Sequence, residues 1–160
     1  MKSFALILLF AAGTVLSQTS SNRRATVFYF GGSDCPFSVD EKNIANIDKM
    51  RSELARKHTQ IPFKFVMVVM DDSLEQGVQF AKKYIRWDEL SIGQFYNNEL
   101  MLEHVNRAAI PGVPHIMVYS DSLEIGKYNI PSIKKRKLLL DLVGESAIGK
   151  WIESGYPIAW

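Results

Sequence analysis

One short stretch constrains this chain more than any other, because an apolar run, a small-residue loop and a helix pattern follow one another around the only cysteine. Residues 26–30 read TVFYF, which is typical of a strand buried on both faces. Cys35 then stands directly before residues 36–57, which have the spacing of an amphipathic helix and begin with proline. This order predicts a strand that delivers one thiol to the N-terminal end of a helix.

Cys35 is the first candidate for chemistry. A thiolate is the nucleophile of disulfide exchange, and the amides at a helix N-terminus favour the anion. Asp34, Asp40 and Glu41 oppose this effect, because nearby negative charges favour the protonated thiol. We therefore expect a modest activation of Cys35. The alternative is an inert, buried cysteine that packs like a small apolar side chain.

Ser38 stands three positions after Cys35, one helical turn further on. At this spacing its hydroxyl can hydrogen-bond a thiolate, which makes it a second candidate catalytic residue. It cannot release a mixed disulfide, because that step needs a second thiolate. The alternative for Ser38 is an ordinary serine in the first turn of a helix.

A loop of residues 112–115 precedes another apolar run and supplies the remaining candidates. Pro114 cannot donate to a strand ladder, and a cis bond between Val113 and Pro114 would set a tight turn. His115 can titrate near neutral pH and is a candidate auxiliary residue to the thiol, as is Pro36. A structural histidine, half-buried or on the surface, is the alternative for His115.

The N-terminus has the pattern of an export signal. Lys2 precedes a largely apolar stretch of 14 residues, 3–16, and small side chains at Val15 and Ser17 suit cleavage after residue 17. This apolar stretch is shorter than the roughly 20 residues of a membrane span. We predict a signal peptide over residues 1–17 and an exported protein, periplasmic or extracellular. An uncleaved membrane anchor is the alternative.

The composition indicates one domain after this signal. Removing 17 of the 160 residues leaves 143, enough for a single core, and a net charge of +2 gives no argument for nucleic acid. One cysteine permits no internal disulfide, and three scattered histidines provide no metal-type spacing, so we expect no metal and no cofactor. We expect a flexible segment at 18–24, a domain at 25–154 and a tail at 155–160.

The rest of the chain predicts strands that alternate with helices. Strands are expected at 25–30, 63–70, 115–119 and 124–128, and helices at 36–57, 73–85, 97–109 and 132–143, the last followed by a continuation at 147–154. Early alternation predicts parallel strands, and the late hairpin, with its turn at 120–122, predicts an antiparallel edge. The expected fold is α/β, a mixed sheet with helices on both faces.

Two of these helices carry specific expectations. The helix over 73–85 should bury a stripe of four apolar side chains: Leu74, Val78, Ala81 and Ile85. Residues 134–137 place four basic side chains on the helix over 132–143, where we expect a solvated face. Attraction to anionic lipid or to a partner is the alternative for these four residues.

These features together resemble the thioredoxin-like superfamily over roughly residues 25–143. The resemblance is carried by the strand at 26–30, by residues 35–38 at the place of the C-x-x-C motif and by residues 112–114 at the place of the cis-proline loop. Residues 66–84 resemble a βα unit of exported thiol–disulfide oxidoreductases. The resemblance implies a thioredoxin-like mixed sheet, disulfide exchange at Cys35, and an extended substrate peptide paired beside Val113 and Pro114.

Three residues depart from the family pattern. Ser38 replaces the second cysteine, Asp34 stands where tryptophan is usual, and Tyr29 stands where thioredoxins keep a buried aspartate. The predicted function is thiol–disulfide exchange through mixed disulfides with protein or small-thiol partners, with an external thiol completing turnover. The alternatives are a non-catalytic peptide- or protein-binding module and a homodimer linked through Cys35.

Overall fold

The computed structural model describes residues 22–94, 97–105, 108 and 110–160, so the predicted signal peptide lies outside the described residues. The elements follow in the order β1 (Arg23–Gly31), α1 (Pro36–Val39), α2 (Glu41–Lys57), β2 (Phe63–Asp71), α3 (Leu74–Ala81), β3 (Glu89–Gln94), α4 (Glu99–His104), β4 (His115–Ile125), β5 (Pro131–Val143) and α5 (Glu145–Glu153). A short 3-10 helix, Lys127–Asn129, joins β4 to β5. No helix of this described part is long and apolar enough to cross a bilayer.

The strands form one mixed sheet in the order β3-β2-β1-β4-β5. β1, β2 and β3 run parallel, whereas β4 is antiparallel to both β1 and β5. The predicted parallel core with an antiparallel edge is therefore confirmed. β1 lies at the centre, and its last seven residues, from Ala25 on, are buried because neighbouring strands and helices cover both of its faces.

Helices cover both faces of the sheet, as predicted. On one face α2, α3 and α5 pack around Val27 and Tyr29 of β1. On the other face α4 packs around Phe28 and Phe30. Successive strand residues point to opposite faces, so the single apolar run of β1 supplies both cores. The α/β class and the mixed sheet flanked by helices on both faces are confirmed.

The helix predicted over residues 36–57 is two helices. Asp40 has extended backbone angles, φ −64° and ψ 130°, and its carboxylate accepts a hydrogen bond of 3.0 Å from Asn43 N. An aspartate in this geometry caps a new helix, so α1 ends and α2 begins at Asp40. Cys35 consequently precedes a helix of four residues and not the long helix of 17, and that expectation is wrong.

The predicted apolar stripe of α3 is also wrong. A Cβ at Gly77 would lie 2.5 Å from Ile92 Cγ2, so this glycine lets α3 approach β3 closely. The approach turns Gly77 and Phe80 toward the sheet. Of the four residues predicted to form the buried stripe, only Ala81 is buried. The other predicted residues are exposed: Leu74, Val78 and Ile85.

The last predicted helix, over residues 132–143, is strand β5. β4 continues through the predicted turn at 120–122 and pairs with β5 along its whole length. The predicted strand at 124–128 is therefore wrong as well. Lysine and leucine favour helices in isolation, but strand pairing and burial outweigh that preference here. Leu140 and Leu142 alternate toward the core of the α2 face.

The two ends of the domain differ from their predicted bounds. β1 begins at Arg23, so two residues expected in the flexible segment belong to a strand. At the C-terminus, Trp151 Nε1 donates a hydrogen bond of 2.9 Å to Pro157 O, and Tyr156 is buried. Residues of the predicted tail thus pack on the domain. Between α3 and α4, β3 pairs with β2 and forms one edge of the sheet.

Candidate functional site

The loop between β1 and α1 is held in place from the end of β2. Asp71 Oδ1 accepts two hydrogen bonds from Ser33, 2.6 Å from its backbone N and 2.7 Å from its Oγ. A Cβ at Gly32 would lie 2.8 Å from Met70 O, so the loop can pass this close to β2 only with glycine there. Asp71 and Gly32 together fix the approach of the chain to Cys35.

Cys35 is the N-cap of α1 and is partly exposed. Its carbonyl accepts the first hydrogen bonds of the helix, from Ser38 N at 2.9 Å and Val39 N at 3.2 Å. Its Sγ donates to the carbonyl of Val113 at 3.4 Å, although the two residues are 78 positions apart. The peptide bond from Val113 to Pro114 is cis. The fold thus brings Cys35 together with the predicted peptide-binding loop.

The surroundings of the sulfur are open on one side. Pro36 and Phe37 follow Cys35 and are both exposed, which leaves an apolar rim beside the thiol. A thiol can donate to the Val113 carbonyl but a thiolate cannot, so this contact belongs to the protonated resting form. A reacting partner that approaches from the rim meets the sulfur and the Val113 backbone together.

A chain of hydrogen-bonded hydroxyl groups lies beneath α1. Tyr84 OH donates to the carbonyl of Ser38 at 2.6 Å. Its single proton is then used, so Tyr29 OH donates to Tyr84 OH at 2.8 Å and accepts from Asn43 Nδ2 at 3.2 Å. The chain links α2, β1 and the segment after α3 to the backbone of the turn that carries Cys35.

Burial raises the pKa of both Tyr29 and Tyr84. A phenolate in this position would lose more hydration than its hydrogen bonds return. Both side chains therefore stay neutral near physiological pH, where they hold the turn through hydrogen bonds and do not act as bases. Ser38 itself is buried, and its Oγ makes no hydrogen bond within the described part of the chain.

Sequence reasoning missed two members of this chain of hydroxyl contacts. Asn43 carries a usable signal, because it lies one turn before Ile47 on the buried face of α2. A polar residue on an apolar stripe indicates a buried partner. Tyr84 carries no such signal, since it follows α3 and reaches Tyr29 only through the tertiary fold.

His115 directly follows Pro114 but lies on the α4 face of the sheet. Its ring is buried, with its centroid 5.7 Å from that of Phe30, and its Nε2 is hydrogen-bonded to Asp141 Oδ1. The described partners of His115 are therefore Asp141 and Phe30, and no hydrogen bond to Cys35 is found among them. An auxiliary role for His115 and for Pro36 stays a prediction.

The basic residues at 134–137 lie on β5 and not on a helix face. Arg136 is half-buried and donates to both carboxylate oxygens of Asp121, at 2.7 and 3.0 Å. The three lysines of this group are exposed. Within the described ranges, no group of three or more histidine, cysteine, aspartate or glutamate side chains is placed to hold a metal ion.

Two solved structures that are similar to this chain illustrate what it resembles. No protein-family model matches the chain, and no curated protein sequence matches it. A cysteine-to-alanine mutant of tryparedoxin-I is 14% identical, with a TM-score of 0.45, over 82% of this chain and 75% of that one. A thiol–disulfide oxidoreductase from Bacteroides fragilis is 20% identical, with a TM-score of 0.42, over 87% of this chain and 86% of that one.

The strand order and the two facing loops define the fold. A parallel β-α-β unit leads into β4 and β5, which are antiparallel, and the β1–α1 loop faces a cis-proline loop at the start of β4. This arrangement is the one that the resemblance of residues 25–143 implies. The chain has a thioredoxin-like fold.

Proposed function

We propose that this chain is an exported thiol–disulfide exchange protein and that Cys35 is its reacting group. The observation that carries the proposal is the 3.4 Å contact between Cys35 Sγ and Val113 O. It places a partly exposed thiol against the backbone that precedes Pro114. A backbone that pairs with a peptide beside a partly exposed thiol can hold a disulfide of that peptide where the thiolate can attack it.

The exchange runs in two balanced steps. The Cys35 thiol loses its proton, and the thiolate attacks one sulfur of a partner disulfide. A bond forms between Sγ and that sulfur, the partner disulfide breaks, and the second partner sulfur leaves as a thiolate that takes up a proton. An external thiol then attacks the mixed disulfide as its thiolate, which frees Cys35 and forms a new disulfide with the partner sulfur.

Three residues support these steps. Val113 O accepts from the resting thiol, and an arriving peptide N–H takes over this acceptor when the thiol becomes a thiolate. Ser38 Oγ, buried and without a hydrogen bond in the described structure, is available to donate to the thiolate one turn away. Pro114 is buried and fixes the backbone that the partner pairs with.

The test is to trap mixed disulfides. The reduced protein is incubated with a disulfide-bonded peptide and analysed by intact mass and non-reducing electrophoresis. We expect one adduct per chain for the native protein and none for Cys35→Ser. Peptide binding that Cys35→Ser leaves unchanged, with no adduct in the native protein, would support the non-catalytic module. A band at twice the chain mass that depends on Cys35 and appears without peptide would support the homodimer.

A further inference from the structure

The end of the β4–β5 hairpin extends past the rest of the sheet. β1 pairs with β4 only as far as Ser122, and beyond it β4 and β5 pair with each other in the described structure. Residues 123–133 are here called the hairpin tip. Every residue of the hairpin tip except Leu123 is exposed.

Large apolar side chains cluster on the hairpin tip. Their exposed fractions are high: Ile125 62%, Tyr128 80%, Ile130 62% and Ile133 43%. Single exposed apolar residues are common on soluble proteins, but four within nine residues form a patch. A patch of this kind marks a surface that another molecule covers.

The backbone of the hairpin tip is strained at its aromatic residue. Tyr128 has φ +66°, in the left-handed region that favours glycine and asparagine. The ring packs little on the domain, because Tyr128 is 80% exposed, and its centroid lies 5.1 Å from Lys127 Nζ. Strain that is kept at an exposed aromatic ring indicates that the ring is used in an interaction.

Positive charge surrounds the apolar patch. Lys127 lies within the hairpin tip, and Lys134 and Lys135 follow it directly, all exposed. Glu124 is the acidic residue of the hairpin tip and lies 3.5 Å from Lys134 Nζ. Lysines at an edge strand also discourage strand pairing, but that role does not explain Lys127 beside an exposed tyrosine in a turn.

The N-terminal chain enters the domain at the same place. Leu123 N donates a hydrogen bond of 2.6 Å to Asn22 O, at the base of the hairpin tip. Asn22, the first described residue, and the apolar patch therefore lie at the same end of the domain.

From these observations we propose that the hairpin tip binds the surface of a membrane that contains anionic lipid. Tyrosine suits the interfacial region of a bilayer, isoleucine suits the apolar region just below it, and the lysines meet the lipid phosphates. An acidic protein would use the lysines alone, whereas a bilayer uses the lysines and the apolar patch together. The proposal does not depend on the reactivity of Cys35.

The docked orientation has a consequence for Cys35. β4 begins at His115, beside the Val113–Pro114 loop, and its 11 residues end at Ile125 in the hairpin tip. At about 3.3 Å per residue, the strand separates the two ends by roughly 33 Å. A membrane at the hairpin tip thus leaves Cys35 facing water, where soluble disulfides reach it.

The first test measures which end of the domain meets the lipid. Tryptophan is placed in the full chain by Tyr128→Trp or, as the control at the opposite end, by Phe37→Trp, and the emission of the native protein is subtracted. Vesicles contain 30% phosphatidylglycerol in phosphatidylcholine brominated on its acyl chains. We expect the bromine to quench the added emission of Tyr128→Trp and not that of Phe37→Trp. Absence of quenching in Tyr128→Trp, or quenching confined to Phe37→Trp, would overturn the proposal.

The second test measures the preference of vesicle binding for anionic lipid. The ratio of binding to phosphatidylglycerol vesicles over pure phosphatidylcholine vesicles is compared between the native protein and Lys134→Glu/Lys135→Glu. We expect the ratio to fall at least about tenfold in the variant and in high salt. The charge-matched control, Lys42→Glu/Lys150→Glu, lies by the groove between α2 and α5 and should keep the native ratio. Equal ratios in all three proteins, or binding to polyglutamate without binding to vesicles, would contradict the membrane assignment.

Discussion

The two ends of the sheet place their side chains in opposite ways. At the Cys35 end, polar groups are buried and bonded to one another, as in the Tyr29–Tyr84 pair and the Asp71–Ser33 contact. At the hairpin tip, apolar groups are exposed and surrounded by lysines. Both placements cost stability. Buried polar groups lose their hydrogen bonds to water, and exposed apolar groups stay in contact with water that burial would remove. The comparison shows that unusual burial and unusual exposure can each indicate where a fold is used.

The largest expected effect lies at the Cys35 end. Ser38→Cys supplies a second thiol one turn from Cys35, so an internal thiolate can release the mixed disulfide without an external thiol. We expect reduction of insulin disulfides in the presence of dithiothreitol to rise at least tenfold. The control is Ser52→Cys, an exposed serine on α2 that adds a thiol away from the site. An equal gain in both variants, or no gain in Ser38→Cys, would count against an intact exchange site.

The next effect concerns the base of the hairpin tip, where Asp121 joins three strands. Its carboxylate accepts from Thr26 at 2.6 Å and Arg24 at 3.2 Å on β1, and from Arg136 on β5. Asp121→Asn leaves two arginines poorly paired, and we expect a loss of about 2–3 kcal/mol in the free energy of unfolding at pH 7. Chemical denaturation measures this loss. A change below about 0.5 kcal/mol would show that the contacts do not hold the strands together.

The same residue predicts a pH dependence. Burial alone would raise the pKa of Asp121, but Arg136, Thr26 and Arg24 hold it below its usual value. The unfolded chain therefore binds a proton more readily than the folded chain, and the stabilisation is complete above about pH 4 and is lost as the pH falls further. The stability difference between the native protein and Asp121→Asn should be constant from pH 5 to 8 and shrink below about pH 4. A difference that grows on acidification would contradict this sign.

A smaller effect is expected for the buried hydroxyl chain. Tyr29→Phe removes the acceptor of Asn43 Nδ2 and the donor to Tyr84 OH but keeps the ring in the core. We expect a loss of about 1–2 kcal/mol in unfolding free energy, with little change in the pH dependence of stability near pH 7. Tyr156→Phe is the matched control, because Tyr156 OH is buried without a hydrogen bond in the described structure. A larger loss in Tyr156→Phe would show that the hydroxyl chain does not stabilise the fold.

The smallest effect should come from the hairpin tip. Tyr128→Gly relieves the left-handed backbone at φ +66°, and the lost ring has little packing on the domain. We expect the unfolding free energy to rise by no more than about 1 kcal/mol, while vesicle binding falls. A clear loss of stability would mean that the ring packs on the domain, which would remove the contrast between the two ends.

The sequence predicted the Cys35 end better than the hairpin tip for a physical reason. β1 is buried on both faces, so its apolar run is unambiguous, and Cys35 and Pro36 follow it in order. β5 lies at an exposed edge, where lysines replace the alternation that normally marks a strand, and its sequence therefore favours a helix. Residues 131–143 form a strand because they pair with β4, and no local sequence pattern reveals this pairing.

The details of the site depend on contacts between distant residues, and this limits what local patterns can predict. Cys35 and Val113 were both predicted as site residues, but their contact arises only when β4 is placed beside β1. The break at Asp40 had a visible signal, because aspartate is a strong N-cap. The close approach of α3 at Gly77 had a weaker sequence signal, because it depends on Ile92 in β3.

Exchange at Cys35 is tested by the reaction of this thiol with oxidised glutathione in the folded protein. Intact-mass spectrometry follows the adduct over time at one pH, in the folded chain and in the chain unfolded by urea, with Cys35→Ser as the blank. We expect one glutathione per folded chain, attached to Cys35 and formed at least as fast as in the unfolded chain. An adduct that forms only after unfolding would show a shielded thiol and would contradict exchange at Cys35.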